Sequence, residues 1–313
     1  MRTYPECIPC MFEQLLRSAR LADLTEEKTF DVIRSFSKQL AYSSFSQSPP
    51  EIAVQLYREI KRLSKNDDPF GAVKRENINK ALALFDEMRK LIAESADKLD
   101  FALRVAAVGN IVDFGALKSF EISQEMLDNL EINKLHWEID ELREDLRKSS
   151  ILLVVGDNAG EAIFDRALIE AITRLYSIEK VYFAVRGAPV INDVTFDDAT
   201  YAGVDRVAEI ITTGSDVPGI VLNECSRQFV ELFRTADVVI SKGQGNFETL
   251  HGCERKVYFL LKVKCGVVAK ITNAGIGDIL LFSNKKAPAK GAFKRKLFTI
   301  TLPWLNFQDS IAG

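Results

Sequence analysis

The stretch Ile151–Leu175, ILLVVGDNAGEAIFDRALIEAITRL, limits what this chain can fold into more than any other. Ile151 to Val155 form a short apolar run that reads as a buried strand, and Gly156 ends it. Asp157-Asn158-Ala159-Gly160-Glu161 is a polar turn. After it, Ala162, Ile163, Ala167, Leu168, Ala171, Ile172 and Leu175 recur at helical spacing. Strand, acidic turn and helix together make the unit of an open parallel sheet, whose ligands sit beyond the carboxyl ends of the strands. Asp157 and Asn158 stand there with hard oxygen ligands suited to a divalent cation. A purely structural reading is equally open at this point, since Asn158 and Glu161 have the spacing of an N-cap and its capping-box partner.

Strand–helix alternation continues downstream. Lys180–Val185 reads as a second strand, Val207–Ile211 as a third, Asp237–Ile240 as a fourth, Val257–Val263 as a fifth and Asp278–Phe282 as a short last one. Val221–Phe233 reads as a helix. Upstream the period is helical from Met11 to about Leu103. Thr25-Glu26-Glu27-Lys28 opens one helix with a capping signal, Ile52–Leu63 is a second, and Ile78–Leu99 reads as one long helix. The expected division is a helical domain over 1–104, a connector over 105–150 whose later part is charged and helical, an α/β domain over 151–284, and a tail over 285–313.

Composition removes several classes. A formal net charge of -3 provides no general attraction to nucleic acid or an anionic membrane, and no uncharged apolar run approaches the length of a membrane-spanning helix. The first ten residues lack the apolar run of a signal peptide, so a cytoplasmic protein is expected. The only histidines are His136 and His251, which excludes a histidine-rich metal site and makes a Ser-His-Asp enzyme hard to build. Five cysteines argue against a disulfide scaffold. Cys7 and Cys10 form a C-x-x-C pair that reads either as plain structural cysteines or as part of a second metal site, which would need further ligands. A G-x-x-x-x-G-K-[ST] motif is absent, and no G-x-G-x-x-G follows the first strand, which disfavours P-loop and dinucleotide enzymes.

Polar residues gather instead after successive strands: Asp157 and Asn158, then Arg186, Asn192 and Asp193, then Thr213, then Lys242 and Asn246. On one edge of a parallel sheet such residues converge. Two carboxylates and an amide oxygen can hold one divalent cation and leave positions for water and substrate. Lys242 beside Gly243 and Gly245 suggests a phosphate seat, with an ammonium and closely approaching backbone N–H groups. Glu161, Arg186, Asn192 and Thr213 complete the candidate substrate contacts. Asn110 and Asp113, in the Gly-bounded segment GNIVDFGA, are either a satisfied buried network or an active-site wall. Each piece has a bland alternative: Lys-Gly-Gln-Gly as an ordinary loop, Asp193 as the cap of a helix at Val194, and Asp197-Asp198 as a solvated helix start.

CIPC, GNIVDFGA, GDNAGE, RGAPVINDVT and SKGQGNFETL resemble the metal-dependent damage-control phosphatases, and within them the compact prokaryotic subfamily with an N-terminal cysteine pair. The resemblance runs from about Arg2 to Asn284. It implies a helical domain packed on a three-layer α/β/α domain with a mainly parallel sheet. It implies one divalent cation (Mn, Co, Ni or Mg) held by Asp157, Asn158 and Asp193, with Lys242 on the phosphate. It also implies hydrolysis of phosphate esters of small, often damaged metabolites such as sugar phosphates, by a metal-activated water or by Asp157 or Asp193 as base or nucleophile. Two other readings stand beside it: an S-adenosylmethionine-dependent carboxyl methyltransferase and a non-enzymatic metal-binding protein. KKAPAKGAFKRK and the residues after it lie outside the resemblance and read as a solvated basic tail, with an RNA- or membrane-surface patch as the alternative.

Overall fold

Residues 1–109 and 132–285 of the chain are described by a computed structural model. Among the described residues six helices come first: α1 (Cys7–Leu21), α2 (Glu26–Tyr42), α3 (Pro49–Ser64), α4 (Gly71–Leu82), α5 (Phe85–Glu94) and α6 (Lys98–Val108). Then follow β1 (Ile132–Trp137), α7 (Ile139–Leu146), β2 (Ile151–Val155), α8 (Ala162–Leu175), β3 (Lys180–Val185), α9 (Phe196–Tyr201) and β4 (Glu209–Thr212). The described part ends with α10 (Arg227–Thr235), β5 (Val238–Lys242), α11 (Gln244–Leu250), β6 (Tyr258–Lys262), α12 (Gly266–Thr272) and β7 (Ile279–Ser283).

The strands make one sheet in the order β1-β7-β6-β5-β2-β3-β4, and every neighbouring pair is parallel except β6 with β7. A parallel sheet needs cover on both faces, which is why β2 and β5 are apolar along nearly their whole length. Leu152 and Val154 enter a core shared with α4, α5, α6 and α8. Leu153 and Val155 point the other way, into a core with Phe229 and Phe233 of α10, Phe247 of α11 and Val268 of α12. The fold is thus a helix–sheet–helix sandwich preceded by helices. From β2 the chain runs outward through β3 and β4, then returns to β2's other side as β5. The junction of β2 and β5 is therefore a topological switch point, where a crevice opens beyond the strand ends.

Helices α1–α3 have a separate core, and two of its members come from elsewhere: Val190, in the loop after β3, and Val267, just after β6. Both lie past carboxyl ends of parallel strands, so this helical layer is set over the edge that carries the switch point. Local signals produce these helices. Thr25 Oγ1 accepts from Lys28 N at 3.3 Å, and Ser48 and Glu51 form a reciprocal capping box at the start of α3.

Three sequence expectations are corrected. Part of the expected connector over 105–150 is a sheet strand, β1, followed by α7. INKLHW has no apolar run because β1 is an edge strand with Leu135 exposed. It is held by pairing to β7 and by Trp137 Nε1 donating to Asp100 Oδ1 at 2.6 Å, a contact invisible in the local pattern. The long helix expected over Ile78–Leu99 is broken twice, with Asp97 capping α6 by accepting from Asp100 N at 3.2 Å. Over Val221–Phe233, a single 3-10 turn at Leu222–Glu224 precedes α10, because Ser226 caps the helix at Phe229 N.

Lys74 of α4, 1% exposed, ties the leading helices to the sheet domain, with Nζ 2.7 Å from Asp198 Oδ2 and 2.7 Å from Asp68 Oδ2. Replacing it leaves the buried Asp198 carboxylate and the half-buried Asp68 without their cation. Lys74→Met is expected to destabilise the protein by about 3–5 kcal/mol in urea unfolding. A loss under about 1 kcal/mol would show that the pair is not held as described.

Candidate active site

The turn after β2 and the loop after β3 are stitched together by backbone. Val194 N donates to Asp157 O at 2.8 Å and Ala159 N to Asn192 O at 2.9 Å, so Asn158 and Asp193 face each other across a short antiparallel bridge. The structure removes the two bland readings of these residues. Asn158 makes no capping hydrogen bond. The helix after Asp193 is capped by Thr195 in a capping box with Asp198, not by Asp193. Both residues are left for other work.

Asn158 Nδ2 donates to Glu161 Oε1 at 2.6 Å and more weakly to Asp157 Oδ2 at 3.3 Å. With its amide nitrogen so engaged, Oδ1 is the atom available to a ligand. Asp157 is buried against Gly243, where φ is +79° and a Cβ would fall 1.9 Å from Asp157 Oδ2. Only glycine suits that backbone and that approach. Asp193, 2% exposed, accepts from Arg186 Nε at 2.6 Å, and Arg186 Nη2 donates to Asn246 Oδ1 at 2.8 Å. Asn246 in turn donates to Gly156 O and Lys242 O, which locks the ends of β2 and β5 together. Arg186 Nη1 is buried and has no hydrogen-bond partner among the described residues.

Lys242 stands differently from the expectation. Its side chain is on the face of β5 that meets α6 and α8, fully buried, and Nζ donates to Asp165 Oδ1 at 2.5 Å, Ala106 O at 3.0 Å and Glu161 Oε2 at 3.3 Å. An ammonium has three protons, and all three have acceptors. Glu161 is likewise turned inward, between Asn158 and Lys242, instead of out toward an anion. Both expected phosphate contacts are thus supports behind Asn158 in this structure. The backbone seat is also partly used, because Gly243 N donates to Leu260 O at 3.1 Å. Gly245 packs against Pro218 O, which a Cβ would meet at 2.7 Å. Thr213 is fully buried and its hydroxyl donates to Ser215 O at 3.3 Å within its own turn. Asn192 is half-buried beside Asp193, and its side chain has no hydrogen-bond partner among the described residues. Asn110 and Asp113 lie outside the described residues.

Three supporting residues escaped the sequence reading. Asp165 is one helical turn beyond Glu161, a spacing that could have flagged it. Glu248 is half-buried and accepts from Gln244 Nε2 at 2.8 Å. Asp198, read as solvated, is buried on Lys74. Cys7 is buried in the core of α1–α3 and Cys10 is exposed; both thiols are free, and burial raises the Cys7 pKa. Among the described residues, no three His, Cys, Asp or Glu side chains are grouped to hold a metal, so the cysteine pair has no third ligand of that kind.

The electrostatics favour a bound cation. Burial pushes Asp193 up to about 7, with Arg186 opposing and Asp157 adding to the rise. Burial does the same to Glu161, also to about 7, against Lys242 and with Asp157 again raising it. Glu248 is raised to about 7 by burial, with Asp157 contributing. Asp165 is raised by burial too. Burial opposes the charge on Lys242, but Asp165 and Glu161 outweigh it and hold the lysine above its ordinary value. The carboxylates of Asp157 and Asp193 and Asn158 Oδ1 are hard oxygen donors on two backbone segments joined by hydrogen bonds, the donor chemistry a divalent cation needs.

Comparison with known proteins identifies the family and the fold. The model of the damage-control phosphatase ARMT1-like domain matches residues 3–280. A damage-control phosphatase of Pyrococcus horikoshii is 34% identical over 290 residues, covering 91% of this chain and 99% of that protein. An uncharacterized protein of Methanocaldococcus jannaschii is 33% identical over 290 residues, with 88% and 94% covered. A damage-control phosphatase of Archaeoglobus fulgidus is 29% identical over 292 residues, with 90% and 98% covered. The crystal structure of a DUF89 family protein from Pyrococcus horikoshii matches with a TM-score of 0.81 at 30% identity, over 91% of this chain and 99% of that one.

Two outcomes follow from the packing and the charges. Gly243→Ala is expected to displace Asp157 and abolish Mn binding in calorimetry while the protein remains folded; unchanged affinity would refute the tight approach. The raised carboxyls bind more protons folded than unfolded, so their stabilisation of the cation-free protein is complete below the ordinary carboxyl range and is lost as pH rises through about 7. Divalent-cation affinity should climb over that same interval, because a carboxyl must lose its proton before it can coordinate a cation. Calorimetry at pH 5 and pH 8 distinguishes this from a flat profile.

Proposed function

Because this chain belongs to the damage-control phosphatase ARMT1-like family, we propose that the edge beyond β2, β3 and β5 is its phosphatase centre. The enzyme hydrolyses phosphate esters of small metabolites and depends on a divalent metal. In our reading Asp157, Asn158 Oδ1 and Asp193 hold one cation, drawn from Mn, Co, Ni or Mg, and the cysteine pair Cys7/Cys10 assigns the chain to the prokaryotic subfamily that carries it. When bound, that cation neutralises charge on the phosphoryl oxygens and lowers the pKa of a water.

The chain's own residues do the rest. Arg186 Nη1, buried and unpartnered among the described residues, donates to a phosphoryl oxygen, while the hydrogen bonds from Nε and Nη2 fix the planar guanidinium between Asp193 and Asn246. Asn192 offers a further polar side chain beside it. Glu161 keeps Asn158 turned with its oxygen outward, and Lys242, itself held by Asp165, neutralises and braces Glu161 from behind. Lys242 therefore acts through Glu161 and Asn158. Its charge reaches a phosphate only through that chain of contacts. Asp157 and Asp193 are the candidate proton acceptors from the attacking water.

The observation that carries this reading is the orientation of Asn158: its nitrogen is committed to Glu161, and its backbone is bridged to that of Asp193. The test is hydrolysis of 4-nitrophenyl phosphate by metal-stripped protein, with Mn, Co, Ni and Mg restored singly. Turnover should return with at least one cation, and Asp193→Ala should lose it by well over a hundredfold. Glu161→Ala, which disturbs a ligand's support, should cost about 10–100-fold. Full activity in Asp193→Ala would end the assignment of that residue.

A further inference from the structure

Under the helical layer, against the loop after β3, lies a cleft lined in part by Ser18, Tyr57, Lys61, Asp68, Phe70 and Ile191. It offers about 10 Å³ to the centre of a water-sized group, enough for one such group. Two polar atoms of its lining residues are unsatisfied among the described residues. Ser18 Oγ is buried without a partner, although a serine inside a helix can bond the carbonyl one turn back. Asp68 Oδ1 is also buried without a partner, while Oδ2 of the same carboxylate is fixed 2.7 Å from Lys74 Nζ. Aromatic and aliphatic side chains make most of the remaining wall. A polar atom left in such a wall costs free energy until a complementary group enters.

The cleft borders the proposed catalytic loop. Ile191 is two residues before Asp193 and has φ +38°, a left-handed conformation that is strained for a β-branched residue and persists only where its surroundings enforce it. Lys61 Nζ donates to Pro189 O at 2.8 Å and pins the start of that loop to α3. From Asp68 a chain of contacts runs through Lys74 to Asp198 Oδ2, which accepts from Thr195 Oγ1 at 2.6 Å, just past Asp193. Asp193 also acts electrostatically on the Tyr57 phenol, whose pKa burial has already raised. The unsatisfied pair combines a hydroxyl donor with a carboxylate acceptor. A substrate hydroxyl answers both, since it accepts from Ser18 and donates to Asp68. A second phosphate would meet the Asp68 charge instead.

We propose that this cleft is a specificity subsite in which Ser18 Oγ and Asp68 Oδ1 receive one hydroxyl group from the carbon skeleton of the phosphate ester. The inference rests on the phosphatase reading and adds to it the residues that select the ester. Its test compares kcat/KM of the full chain, loaded with the cation that supports 4-nitrophenyl phosphate hydrolysis, on ribose 5-phosphate, glycerol 1-phosphate and 4-nitrophenyl phosphate. Ser18→Ala should lower the ratio of kcat/KM for the better hydroxylated ester to that for the aryl ester by about tenfold or more, chiefly through KM. Asp68→Asn should lower the ratio in the same direction, and thermal midpoints of both variants check that they are folded. An unchanged ratio in folded Ser18→Ala overturns the proposal, as does a wild type that cleaves the aryl ester and neither hydroxylated one; the cleft would then hold a structural water. Absence of cation-dependent aryl phosphate hydrolysis in the wild type would instead bring down the phosphatase reading itself.

Discussion

Burial of clustered carboxylates is the constraint on which the polar interior of this structure depends. Asp157, Glu161, Asp165 and Asp193 are buried in one low-dielectric region with the half-buried Glu248 near them, and the protein counters them with the buried cations of Lys242 and Arg186. Each base does more than neutralise. Arg186 fixes Asp193 and is itself held by Asn246, and Lys242 fixes Glu161, which fixes Asn158. Charge remains uncompensated around Asp157, where three neighbouring carboxyls are pushed upward. A site left short of positive charge, with its oxygen donors already oriented, is arranged to gain from a divalent cation.

The architecture explains why that charge can be gathered at all. Reversal of strand order at β2 and β5 opens a crevice, and the apolar sheet on both sides keeps the surrounding medium poorly polarisable. Gly243 lets β5 end within contact of Asp157, and Asn246 closes the gap between the strand ends from below. The helices do two separate tasks. α4–α6 cover one sheet face and share its core, whereas α1–α3 stand over the strand ends and form the roof of the cleft beside Asp193. One layer supplies stability to the sheet. The other places polar atoms of the helices next to the edge that carries Asp157 and Asp193.

Much of this was legible in the residue order. The apolar runs of β2, β3, β5 and β6, the acidic turn after Val155 and the polar clusters after successive strands follow from local periodicity and from the geometry of parallel sheets, so Asp157, Asn158, Arg186 and Asp193 could be named as neighbours before any coordinates. β1 was not legible, because an edge strand paired to the last strand shows no apolar run, and its partner lies more than a hundred residues away. Nor was the break between α4 and α5, which interrupts a helical period without Gly or Pro to mark it.

The sequence alone determined the class of fold, the edge on which chemistry is possible, and the oxygen-rich, histidine-poor character of that edge, since these depend on residue type and period. Tertiary structure decided the roles within it. Lys242 is followed by glycines that suggest a phosphate seat, yet the alternation of β5 turns its side chain toward α6 and α8, where Glu161, Asp165 and Ala106 take all three of its protons. Asp198 looks solvated in sequence and is buried because Lys74, more than a hundred residues earlier, comes to meet it. Side-chain direction and the identity of a distant partner are set by packing in three dimensions, and no local pattern of residues encodes them.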